Sequence, residues 1–205
     1  MGIDGSGKTT QALMLEDSLR KNGFDCFYTH LVGPPLLKYV SPKKYYFFRN
    51  HMIPKDLLDA NEGQNFKKPG RLEIYVWLIA SLIDSWTDNC VVFFRMKGKI
   101  LLQDRVFFQK IINYFAAAPD WLLSLYIKLF PRPDIVFYFD IDPRLAVKRK
   151  KEDDLSFLIA QKDSCEKILR LIKNKIVILD SNKEKEETHQ KVLDNTIDFL
   201  KRKNE

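Results

Sequence analysis

Two short segments of this 205-residue chain carry residues whose types and spacing could do chemistry. The first, Gly2-Ile3-Asp4-Gly5-Ser6-Gly7-Lys8-Thr9, fits G-x-x-x-x-G-K-[ST]. Its glycines allow successive backbone N–H groups to turn inward and form a nest for anions. A helix expected to begin near Lys8 adds the positive end of its dipole. Gly2, Ile3, Asp4, Gly5, Ser6, Gly7, Lys8, Thr9 and Thr10 are therefore the residues expected around the phosphates of ATP. Lys8, expected as a solvent-facing point charge, should reach the β- and γ-phosphates, and the Thr9 hydroxyl should bind Mg²⁺. The second segment is the apolar run Ile100-Leu101-Leu102-Gln103, which ends in Asp104-Arg105. A carboxylate at a strand end beside such a loop can position Mg²⁺ or its water shell. The neighbouring guanidinium can grip phosphoryl oxygens bidentately and neutralise charge on the group in transfer. Alone, an Asp-Arg pair is most simply a surface ion pair; its place after a buried strand favours the chemical reading.

The elements that must position these segments alternate between helical and strand patterns. Thr9 to Lys21 reads as a helix, with Ala12, Leu13, Leu15 and Leu19 on its apolar face and Gly23 as its stop. Strands are expected at Phe24–Thr29, Lys99–Gln103, Asp134–Asp140 and Lys175–Leu179. Further helices are expected at Arg71–Arg95, Val106–Ala118, Asp120–Phe130, Leu155–Lys173 and Lys185–Lys201, and Pro143 opens a short one with Asp142 as N-cap. Gly33 to Lys68 is irregular and rich in Pro, Lys and aromatics. Alternating strands and helices imply right-handed crossovers and a parallel sheet covered on both faces. Ligands then bind beyond the carboxyl ends of the strands, at Gly2–Thr10, His30–Gly33, Asp104–Arg105, Asp140–Asp142 and Asp180–Lys183.

A phosphate loop normally follows a buried strand, yet only Met1 precedes Gly2. The first strand is expected to be missing from the sequence as written, its slot lying between Lys99–Gln103 and Asp134–Asp140 and calling for roughly five to eight further apolar residues.

Composition narrows the classes. A length of 205 residues, 45% hydrophobic and 30% charged, suits one α/β domain spanning 1–205. The net charge of +7 is scattered along the chain, which favours a small phosphorylated ligand over nucleic acid. Cys26, Cys90 and Cys165 form no CxxC pair, so reduced, mostly buried thiols are expected and no zinc site. The longest apolar run, Ile74–Ile83, is shorter than the roughly 20 residues of a membrane span. With no signal peptide in the chain as written, a cytoplasmic location is expected.

The loop GIDGSGKTT, the strand ending in Asp104-Arg105 and PDIVFYFDIDPRLAVKR (Pro133 to Arg149) together resemble thymidylate kinases and their archaeal-type relatives over nearly the whole chain. The resemblance implies a P-loop NTPase fold with a five-stranded parallel sheet between helices, and transfer of the γ-phosphoryl group of ATP to dTMP. It implies Asp4 near the sugar of the acceptor, Arg105 on the acceptor phosphate, Arg149 beside the adenine and the Asp180–Lys183 loop, with Asn182, on the other side of that base. Lys8, Asp104, Arg105 and Arg149 become the catalytic set, Thr9 and Asp104 the magnesium pair. A lid is implied at about 148–156. Some family members carry an arginine inside the loop; Gly5 stands there here, so Arg149, Lys150 or Lys151 must supply the cation.

Three departures fall on the acceptor side. Thr29-His30-Leu31-Val32-Gly33-Pro34-Pro35 replaces an Arg-Glu-Pro-Gly segment, Ala80–Asp84 lacks an expected arginine, and Val106 stands where an aromatic is usual. Arg49, Arg71 or Arg95 could replace the lost cation, and His30 is a further acceptor-side candidate. Phosphorylation of dTMP is the leading expectation. A kinase of this fold for another acceptor, and a nucleotide-binding domain without catalysis, are the alternatives. The expected partners are ATP and the small phosphorylated acceptor, and a homodimer is compatible with the sequence.

Overall fold

The computed structural model describes residues 1–30, 79, 82–83, 86, 98–104, 119–129, 133–150, 154–172 and 175–204. Residues 33–68, most of 71–95 and 106–118, for which an irregular segment and two helices are expected, lie outside them, as do Arg49, Arg71, Cys90, Arg95, Arg105, Val106 and Lys151, and the side chain of His30.

Helix α1 spans Lys8–Lys21 and buries Leu15 and Leu19. Its end is closed by the backbone: Gly23 N donates to Arg20 O, and Phe24 N donates to Leu19 O, each at 3.0 Å. Phe24 thus belongs to the helix-ending turn, which is why strand β1 begins two residues later than its apolar pattern suggests, at Cys26–His30. Strand β2, Ile100–Asp104, pairs with β1 in parallel from Cys26↔Ile100 to His30↔Asp104. Helix α2 covers Asp120–Leu129 and follows Pro119. Strand β3, Ile135–Asp140, and strand β4, Lys175–Asp180, form a second parallel pair from Ile135↔Lys175 to Asp140↔Asp180. Between them run helices α3, Pro143–Arg149, and α4, Leu155–Leu171. Helix α5, Lys185–Asn204, closes the described chain.

The side-chain alternation of β3 shows why strands and helices form layers. Val136 and Tyr138 enter a core with Leu123, Tyr126, Leu158, Cys165 and Ile168 from α2 and α4. Phe139, on the opposite face, packs with Leu15, Leu19, Leu179 and Val192 from α1, β4 and α5. Ile100 and Leu102 of β2 lean on that same second core, so both strand pairs share one helical cover. Met1 lies beside β3: its ammonium donates to Phe137 O at 2.6 Å and its carbonyl accepts from Phe139 N at 2.9 Å. That alternation is the bonding pattern of a parallel neighbour.

The two described cysteines, Cys26 and Cys165, are free and buried. Burial pushes the Cys165 thiol up to about 12, so it packs as an inert hydrophobe rather than a nucleophile. Among the described residues no helix is long and apolar enough to cross a membrane.

Candidate active site

The phosphate loop folds tightly because two glycines tolerate backbone where a side chain could not go. A Cβ on Gly2, at φ +148°, would stand 2.7 Å from Phe139 O. A Cβ on Gly5, at φ +79°, would stand 2.9 Å from Ala146 O of α3. The loop is therefore seated on the end of β3 and against α3. Gly5 also explains why no cation can come from this position, since an arginine would collide with backbone.

Helix α1 starts at N-cap Gly7 with no side-chain cap and no acidic residue in its first turn. Its first N–H groups and its dipole are thus left for an anion. Ser6 Oγ is buried and has no hydrogen-bond partner among the described residues. Lys8 departs from expectation. It is buried, and its Nζ donates to Gly2 O at 3.0 Å and to Ile3 O at 2.6 Å, with Asp4 Oδ1 3.7 Å away. The loop's first two carbonyls converge on the ammonium, which has three donors to place, so the charge is held inside the loop instead of facing solvent.

The second segment meets the first through α1. Thr9 Oγ1 donates to Asp104 Oδ2 at 2.5 Å, joining the helix start to the end of β2. Asp104 is buried, and Tyr28 of β1 donates its phenol to the same Oδ2 at 3.2 Å. A hydroxyl oxygen and a carboxylate side by side suit Mg²⁺, which takes hard oxygen ligands and keeps several for water and phosphate. No group of three or more His, Cys, Asp or Glu that could hold an ion occurs among the described residues; Mg²⁺ in a phosphate site does not need one.

The far side is built by the ends of β3 and β4. Ser181 N donates to Asp140 O at 2.7 Å, and Asp142 N donates to Asn182 Oδ1 at 2.9 Å. Asn182 in turn donates from its backbone and its side chain to Asp180 Oδ1, at 3.0 and 2.8 Å. Those two bonds hold the Asp180 carboxyl below its ordinary range. Asp142 caps α3 as expected, accepting from Arg144 N at 2.8 Å. Gln11 Nε2 ties α1 to this side through Lys185 O at 2.8 Å.

Gly2 through Thr10 and Asp104 thus come together. Arg149 ends the helix that packs on Gly5, with its own side chain exposed. Asn182 follows β4 and meets the other end of that helix, accepting from Asp142 N. Arg105 lies outside the described residues. Sequence reasoning passed over Tyr28, Gln11 and Gln161. Fully buried Gln161 of α4 accepts from Asp4 N at 2.7 Å, and its Nε2 faces Asp4 Oδ2 at 3.5 Å. The signal was available: α4 buries Leu158, Gln161, Cys165 and Ile168 on one stripe, and a polar residue there must have a partner.

A family model described as thymidylate kinase matches residues 94–192. The chain is 28% identical over 202 residues to a probable thymidylate kinase of Staphylothermus marinus, across 93% of this chain and 89% of that protein. It is 27% identical to a probable thymidylate kinase of Methanosphaera stadtmanae, across 98% and 96%. It is 26% identical to the thymidylate kinase of Caldanaerobacter subterraneus subsp. tengcongensis, across 98% and 94%. The chain is thus similar to thymidylate kinases over nearly its whole length. An α/β fold of the P-loop NTPase kind agrees with that likeness. The Thr9–Asp104 contact links the phosphate loop to the end of β2.

Proposed function

We propose that this protein moves the γ-phosphoryl group of ATP onto dTMP, giving ADP and dTDP. The observation that carries the reading is the bond from Thr9 to Asp104, which joins the phosphate loop to the carboxylate at the end of β2. The relatives named thymidylate kinase support dTMP as acceptor.

In this reading the loop amides and Lys8 hold the β- and γ-phosphates of ATP, with Thr9 and Asp104 as the magnesium arm. Bound Mg²⁺ supplies neutralisation of the phosphate charge. Arg105 grips the acceptor phosphate, one oxygen of which attacks the γ-phosphorus while the bond to the β-phosphate oxygen breaks and ADP leaves with that electron pair. Positioning and charge stabilisation suffice for this transfer, so no general base is assigned. Asp4 sits near the acceptor sugar. Arg149 and Asn182 flank the adenine, and Lys150 and Lys151 belong to a lid over about 148–156. We place the two strand pairs in one five-stranded parallel sheet, whose middle position beside β3 is the one Met1 enters. A cytoplasmic site of action fits the free, buried cysteines.

An acceptor screen tests the reading. ADP release is measured with ATP, Mg²⁺ and each nucleoside monophosphate in turn. The fastest release is expected with dTMP; preference for another acceptor, or release that no acceptor raises, would overturn dTMP phosphorylation.

A further inference from the structure

We propose that Tyr28 is a positioning residue for the magnesium arm, holding the Asp104 carboxylate so that Thr9 presents its oxygen to the metal. The proposal rests on the phosphoryl-transfer reading above. Strand register explains why Tyr28 can do this. Its partner across the ladder is Leu102, and Asp104 is two residues further along the same face. An aromatic side chain spans that diagonal, and the phenol reaches Asp104 Oδ2 at 3.2 Å. Thr9 Oγ1 donates to the same oxygen at 2.5 Å.

A hydroxyl has one proton and two lone pairs. With the Thr9 proton given to Asp104, its lone pairs point elsewhere, which is the orientation a cation requires. The direction of that proton depends on where Oδ2 stands. The terminal torsion of an aspartate is broad and does not fix the carboxylate plane by itself. A second donor on Oδ2, delivered from a neighbouring strand, restricts that rotation. Tyr28, Asp104 and Thr9 thus join β1, β2 and α1 in one relay, and outer partners of this kind orient the atoms that meet a metal.

The test uses the full chain, MgCl₂ and ATP. Nucleotide binding is followed by calorimetric titration in EDTA and at a series of Mg²⁺ concentrations, for the parent and for Tyr28→Phe. The expected result is a rise of about tenfold in the Mg²⁺ concentration that half-saturates the tightening of ATP binding, with ATP affinity in EDTA unchanged. Tyr28→Leu, which also lacks the hydroxyl, must show the same shift. A purely structural Tyr28 would lower the thermal midpoint and weaken ATP equally with and without Mg²⁺, and that result overturns the proposal. An unchanged Mg²⁺ half-point overturns it as well. A parent that binds ATP identically with and without Mg²⁺ overturns the reading of the site itself, and so separates the two failures.

Discussion

At the scale of a residue, Lys8 carries the most direct test of the proposed transfer. Its ammonium is fixed by Gly2 O and Ile3 O, so the charge is centred in the loop before a phosphate arrives. In the proposed reaction, little reorganisation would then be required when charge develops on the group in transfer. Replacing it with methionine keeps the stem and removes the charge. Lys8→Met is expected to lower kcat/KM by about 10²–10³-fold or more, with the circular dichroism spectrum retained; steady-state kinetics at saturating Mg²⁺ read the effect, and a loss under about tenfold would remove Lys8 from the transition state. The type and place of Lys8 were legible from spacing. Its inward direction was not, because two backbone carbonyls set it and a one-letter pattern carries no information about carbonyl direction. The partner of Gln161 was hidden for a related reason: Asp4 lies 157 positions away.

At the scale of elements, the contact of α3 with Gly5 couples the helix bearing Arg149 to the donor loop. Gly5→Ala is expected to cost about 1–3 kcal/mol, from the positive φ and the 2.9 Å approach to Ala146 O. A thermal melt should fall by about 2–4 °C for each kcal/mol, and an unchanged midpoint would mean that loop and helix do not pack this way. The seam between α1 and α5 adds a pH dependence. His189 Nε2 lies 2.8 Å from Ser18 Oγ, and its buried Nδ1 has no hydrogen-bond partner among the described residues. Burial lowers its pKa, against the opposing pull of Asp17 on α1 and Glu186 on α5. The fold therefore prefers the neutral ring. Its contribution is complete above the unfolded pKa of about 6.5 and is lost as pH falls from there through the lower folded value. Denaturation midpoints should drop between pH 7.5 and 5.5 more steeply in the parent than in His189→Gln; equal slopes would contradict the account. The boundaries of these elements were largely readable, since Pro143 with Asp142, Gly23 and the apolar periods are local signals. The late start of β1 was not, because Phe24 is apolar and only its bond to Leu19 O assigns it to the turn.

For the whole molecule, the strand ends carry the candidate site. The parallel pairs end together at Asp104, Asp140 and Asp180, and the loops that follow β3 and β4 are joined by Asn182. The carboxyl-end rule points to these strand ends from the strand pattern alone. The acceptor side was less legible, because Thr29–Pro35 and Ala80–Asp84 depart from the pattern of the family and a departure names no substrate. The decisive question is therefore where the γ-phosphoryl group goes. ATP labelled in its γ-phosphate is mixed with dTMP, Mg²⁺ and the full chain, and the nucleotides are separated. The account predicts label in the β-phosphate of dTDP, one equivalent for each ADP formed, and none transferred by Lys8→Met. Label recovered only as inorganic phosphate, or remaining wholly in ATP, would contradict it.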